Sequence, residues 1–148
     1  MKIALINPNW NLHDIKYTTT SVKPPKSIPL ELTYIDASIS QESRIFDAYA
    51  KNQSIDELIQ DIEAYNPDIT VLETAPTYLF WRCPPLDLSV PSITSKAIKN
   101  SVDSVNVIIG PHGTTDPIWT KEQTMGDVIV RGESDFSINS LIESNYFE

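Results

Sequence analysis

Five short apolar runs, each closed by a polar or proline-containing stretch, constrain this chain more than any other feature. They are Lys2-Ile3-Ala4-Leu5-Ile6, Arg44-Ile45-Phe46-Asp47, Asp68 to Glu73, Val105 to Ile109 and Asp127-Val128-Ile129-Val130. A strand that faces water on one side alternates polar with apolar residues. These runs barely alternate, so they read as strands buried on both faces, as in a parallel sheet covered by helices. Helical patterns fill the gaps between them. Ser27 is a candidate N-cap with Pro29 in the first turn, followed by a stripe of Ile28, Leu32, Ile35 and Ile39. Ser54-Ile55-Asp56-Glu57 spells a capping box ahead of Ile55, Leu58, Ile59 and Ile62, and Pro67 ends that helix. Ser92 to Val102 predicts a weaker helix with Ile93, Ala97 and Ile98 on one side. Pro117 to Met125 predicts a short one, and Ser134 is placed to cap a last helix carrying Ile138, Leu141 and Ile142.

The alternation β-α-β-α-β-α-β-α-β-α predicts an α/β fold. Right-handed crossovers make it a doubly wound, five-stranded parallel sheet of flavodoxin-like (Rossmann-like) order with helices on both faces. The 148 residues suffice for one domain, 1–148, with one core. The net charge of -9 argues against nucleic acid and anionic membrane surfaces as partners. The single cysteine, Cys83, forbids an internal disulfide. With no signal peptide and nothing near the roughly 20 apolar residues of a membrane span, the expected location is the cytoplasm.

In a parallel sheet all strands end on one edge, where ligands bind. Here that edge gathers Asn7-Pro8-Asn9-Trp10, Asp47-Ala48-Tyr49, Thr74-Ala75-Pro76-Thr77-Tyr78, Gly110-Pro111-His112-Gly113-Thr114-Thr115 and Arg131-Gly132-Glu133. The fourth segment holds two of the chain's four glycines and reads as a Gly-rich turn bringing backbone N–H groups close to a ligand. The edge is rich in amides, hydroxyls and aromatic rings and poor in basic groups. It suits a large, flat, mostly uncharged ligand. It suits a nucleotide diphosphate poorly, since neither G-x-G-x-x-G nor G-x-x-x-x-G-K-[ST] occurs.

No catalytic cluster stands out. His13 and His112 are the only histidines, no zinc spacing occurs, and no G-x-S-x-G elbow frames a nucleophilic serine. Glu133 suits acid–base work or a structural role capping the next helix. His112 suits a metal ligand or a hydrogen-bonding turn residue. Receiver domains of two-component signalling share the sheet order, but Asn7, Glu73-Thr74 and Arg131 stand where their Mg²⁺ pocket and lysine would be.

Four segments, in order, resemble the N-terminal cobalamin-binding domain of class B radical SAM enzymes, the cobalamin-dependent radical methyltransferases and their relatives. They are Pro24-Pro25-Lys26-Ser27-Ile28-Pro29-Leu30-Glu31-Leu32-Thr33-Tyr34-Ile35, Asn66-Pro67-Asp68-Ile69, Ile109-Gly110-Pro111-His112-Gly113-Thr114 and Asp127-Val128-Ile129-Val130-Arg131-Gly132-Glu133. Thr74 to Pro85 is similar to one subgroup. The resemblance implies a base-off cobalamin at the carboxyl edge, its ring beside Thr74 to Tyr78 and its tail by Gly110 to Thr114. The cofactor-binding residues it points to are Asn7, Pro8, Trp10, Thr74, Ala75, Thr77, Tyr78, Gly110, Pro111, His112, Gly113, Thr114, Gly132 and Glu133.

The D-x-H-x-x-G of methionine-synthase-type domains, which gives cobalt a histidine, is absent. The resemblance therefore implies neither a protein metal ligand nor a catalytic residue in this chain. Radical chemistry needs three cysteines around a [4Fe–4S] cluster. Cys83 alone cannot supply them. S-adenosylmethionine and the cluster would belong to a radical SAM domain in cis or in trans. The alternative reading is a cofactor-free interaction module or a truncated fragment.

Overall fold

The computed structural model describes residues 1–12, 26–76 and 87–144. Five parallel strands form one sheet: β1 (Lys2–Asn7), β2 (Glu42–Asp47), β3 (Ile69–Glu73), β4 (Val105–Ile109) and β5 (Val128–Ile129), in the spatial order β2-β1-β3-β4-β5. The first connection moves outward to β2 and the second returns across β1 to β3. Each side of that reversal therefore needs its own helices. Helices α3 (Ile55–Tyr65) and α4 (Ser89–Ser101) pack Leu58, Ile59, Ile62 and Ile98 against Ala4, Ile6, Leu72 and Ile108. On the opposite face, α1 (Leu30–Ser38) and α7 (Ser134–Glu143) pack Leu32, Ile35, Ile138 and Ile142 against Ile3, Leu5, Val71, Val107 and Ile109. Alternate residues of one strand thus feed two cores, which is why the runs are apolar throughout. The chain has the flavodoxin-like α/β topology expected from its pattern.

The capping box forms as written. Ser54 Oγ accepts from the Glu57 N–H at 3.3 Å, and Glu57 Oε2 accepts from the Ser54 N–H at 2.8 Å. Those backbone and side-chain bonds from Ser54 also hold the Glu57 carboxyl below its ordinary pKa. Ser54→Ala is expected to cost about 1 kcal/mol. Thermal unfolding should register it as a drop of about 2–4 °C.

Three local expectations are corrected. Helix α1 begins at Leu30 with Pro29 as its N-cap instead of Ser27, and Ile28 lies exposed outside it. Helix α4 begins at Ser89, and its buried side is Val90, Pro91, Thr94, Ser95 and Ile98, with Ile93 turned outward. The reason is a polar seam. Ser95 Oγ accepts from Asn106 Nδ2 at 2.7 Å and donates to the Thr124 carbonyl at 2.6 Å, tying α4 to β4 and to α6 (Pro117–Thr124). Asp127 closes the same seam, accepting from the Asn106 N–H at 2.9 Å and from Lys99 at 2.5 Å. Burial alone would raise the Asp127 pKa, but those bonds outweigh it and hold the group low. Finally, Glu133 and not Ser134 is the N-cap of α7, and its side chain makes no capping bond. Two single-turn helices also escape the periodicity argument, α2 (Ala48–Lys51) and α5 (Pro111–Thr115).

Candidate functional site

The carboxyl ends of all five strands converge on one edge, as the parallel topology requires. Asn7, Pro8, Trp10, Thr74, Ala75, Gly110, His112 and Gly113 are buried there. Pro111 is half-buried, and Thr114, Gly132 and Glu133 are exposed. Thr77 and Tyr78, with His13 and Cys83, lie outside the described residues.

Many of these groups bond to one another. Trp10 Nε1 donates to Asn7 Oδ1 at 2.7 Å, and Asn7 Nδ2 donates to Asp47 Oδ1 at 2.9 Å. Trp10 also packs with Tyr49 and Val90 in a small aromatic cluster. Thr74 donates twice to the Ile109 carbonyl, from its N–H at 3.1 Å and from Oγ1 at 3.0 Å, which clamps the ends of β3 and β4 together. Thr114 Oγ1 accepts from the Gly132 N–H at 2.9 Å.

The segment read as a Gly-rich turn is a glycine followed by a helical turn. Gly110 has φ of +108°, and Pro111 then opens α5. A Cβ on Gly110 would stand 2.7 Å from Thr74 Oγ1. One on Gly113 would stand 2.8 Å from both the Val130 carbonyl oxygen and Ile129 Cγ2. Both glycines therefore let protein backbone approach protein. Gly132, with φ of +83° and none of the described residues within 4 Å of its Cβ position, is the glycine with room beside it. His112 is buried beside the Trp119 ring, with ring centres 6.4 Å apart. Among the described residues no group of three or more His, Cys, Asp or Glu side chains is arranged to hold a metal ion. No described helix is long and apolar enough to cross a membrane.

One residue of this edge escaped the list of candidates. Glu73, the last residue of β3, is only 1% exposed, and neither carboxyl oxygen has a hydrogen-bond partner among the described residues. Burial pushes its pKa well up, and the nearby Glu31 and Asp47 carboxyls push it further in the same direction. Glu31 stands in the first turn of α1 and accepts a short hydrogen bond from Ser134 Oγ, joining α1 to α7. Its own pKa is raised by burial, against the lowering effect of that bond, with Glu133 and Asp135 adding repulsion. The sequence signal was a carboxylate closing an otherwise apolar buried strand. Neither a protein-family model, nor a curated protein, nor a solved structure matches this chain.

Proposed function

We propose that this domain binds cobalamin in its base-off form at the carboxyl edge of the sheet, as the cofactor-binding part of a radical SAM methyltransferase-type system. The observation that carries the reading is the convergence on one edge of Thr74, the Gly110–Thr114 segment and Gly132-Glu133, which lie in segments that carry the resemblance, beside Asn7 at the end of β1. The donor set suits such a ligand. With the Asn7, Trp10, Thr74 and Thr114 side chains and the Gly132 N–H engaged within the protein, it consists of the remaining backbone at Ala75 and Gly132 and one buried acid, Glu73, which would meet a ligand rimmed with neutral carboxamides. Gly132 and Ala75 would meet the ligand with backbone, and Glu73 would meet it with its carboxyl. Asn7 and Trp10 would hold the edge in shape through their mutual hydrogen bond. When bound, cobalamin would supply a cobalt centre able to carry a methyl group. S-adenosylmethionine and a [4Fe–4S] cluster would come from a radical SAM domain in cis or in trans.

A second reading has its own support. The side chains of Asn7, Trp10, Thr74 and Thr114 already bond within the protein. That arrangement favours a cofactor-free interaction module. Incubation with micromolar hydroxocobalamin followed by gel filtration separates the two. The cobalamin reading expects colour to co-elute with the protein, with the spectrum moved to the base-off form. A folded, colourless protein peak would reject it in favour of the module.

A further inference from the structure

Side chains at paired positions of parallel neighbours share a face of the sheet. Asp47 pairs with Asn7, and Ile6 pairs with Leu72 one residue before Asn7 and Glu73. A polar row, Asp47 then Asn7 then Glu73, therefore crosses the carboxyl edge on the side of α1 and α7. Asp47 and Asn7 bond to each other, and Trp10 completes Asn7. The row is satisfied until Glu73, whose two oxygens are buried and, among the described residues, unpartnered. Among the described residues the charges that act on this carboxyl, Glu31 and Asp47, are both acidic. Burial and these acidic neighbours favour its protonated form, which offers one O–H donor and one carbonyl acceptor, side by side.

A cation is a poor complement here. The described residues form no metal-holding group, and the N-terminus of α7, joined to Glu31 through Ser134, carries the positive end of a helix dipole. The complement of an adjacent donor and acceptor is a group presenting the reverse pair. We propose that the Glu73 carboxyl is the recognition point for a carboxamide-bearing ligand, pairing with a primary amide through O–H to the amide carbonyl and amide N–H to the acid carbonyl. Leaving a buried polar group unmatched costs about 1–3 kcal/mol, which the amide pair returns. The inference deepens the cobalamin reading and rests on it only for the ligand's identity, since the corrin rim carries primary amides.

Difference infrared spectroscopy on the full chain tests it. The wild type should show a carboxylic C=O band at neutral pH that is missing in Glu73→Gln, and hydroxocobalamin should move that band. Glu73→Gln keeps a donor and an acceptor and should bind hydroxocobalamin nearly as well as the wild type. Glu73→Leu should bind it about 10–100-fold more weakly, the value of one or two lost hydrogen bonds. Bound cobalamin with an unmoved band and an unchanged Glu73→Leu affinity would overturn the inference and leave the cobalamin reading standing. If no cobalamin is retained, that reading fails, and acetamide becomes the probe. A band moved by acetamide supports the amide site with a different ligand. A band moved by neither compound overturns it.

Discussion

Gly110→Ala should be among the most destabilising single-methyl additions to this chain, and Gly132→Ala should be mild by comparison. Both glycines sit at positive φ, +108° and +83°. Both substitutions therefore incur backbone strain, of order 1–3 kcal/mol. Only at Gly110 does the new methyl also strike the protein, 2.7 Å from Thr74 Oγ1 and 3.3 Å from the Thr74 backbone nitrogen. Thr74 cannot step aside cheaply, because its N–H and its hydroxyl both hold the Ile109 carbonyl. Overpacking adds about 1–3 kcal/mol. Against a total stability of about 5–15 kcal/mol, the sum removes a large part of the margin. Urea unfolding of the two variants side by side measures the difference. Equal midpoints would mean that φ alone matters and that the joint between the ends of β3 and β4 is loose.

The strands were legible in the sequence because burial on both faces erases alternation, so Ile3 to Ile6 and Val105 to Ile109 announce themselves. Helix α3 was legible because its capping box is local chemistry within four residues. Helix α4 was legible as a helix but its inward side was not, because that side carries Thr94 and Ser95, whose burial makes sense only once Asn106 of β4 lies beneath them. Apolar periodicity assigned that side to Ile93 instead. The helical turn α5 was hidden by its residues, Pro-His-Gly-Thr-Thr, which are weak helix formers. Its conformation depends on the φ of Gly110 and on Gly113 fitting against Val130. The carboxyl edge followed from topology alone. Glu73 did not stand out within it, because a carboxylate at a strand end looks like an ordinary stop signal. Its isolation appears only when α1 and α7 close over that face.

Replacing Glu73 should stabilise the isolated domain at neutral pH. The sign follows from the proton balance. In the unfolded chain this carboxyl titrates near its ordinary 4.5, whereas in the folded chain burial, then Glu31, then Asp47 hold the proton on to much higher pH. Between those two values the folded state binds the extra proton, so stability falls as pH rises, by up to about 1.4 kcal/mol per pH unit for one group. Below pH 4.5 both states are protonated and the effect of Glu73 vanishes. Glu31, raised by burial and by Glu133 and Asp135, adds a slope of the same sign. Asp127 and Glu57, held low, oppose it only at more acidic pH. Glu73→Gln removes the titration without changing the shape of the side chain, and should flatten the decline in stability between pH 5 and neutrality, a span of about 2 units. Glu73→Leu removes the unmatched polar atoms as well, and should gain about 1–3 kcal/mol over the wild type at neutral pH. Urea denaturation of the three proteins across this range decides the matter. A wild-type curve parallel to that of Glu73→Gln would mean that the carboxyl titrates freely. A gain in stability coupled to a loss of hydroxocobalamin binding in Glu73→Leu would mark Glu73 as a group kept for its ligand at the expense of the fold.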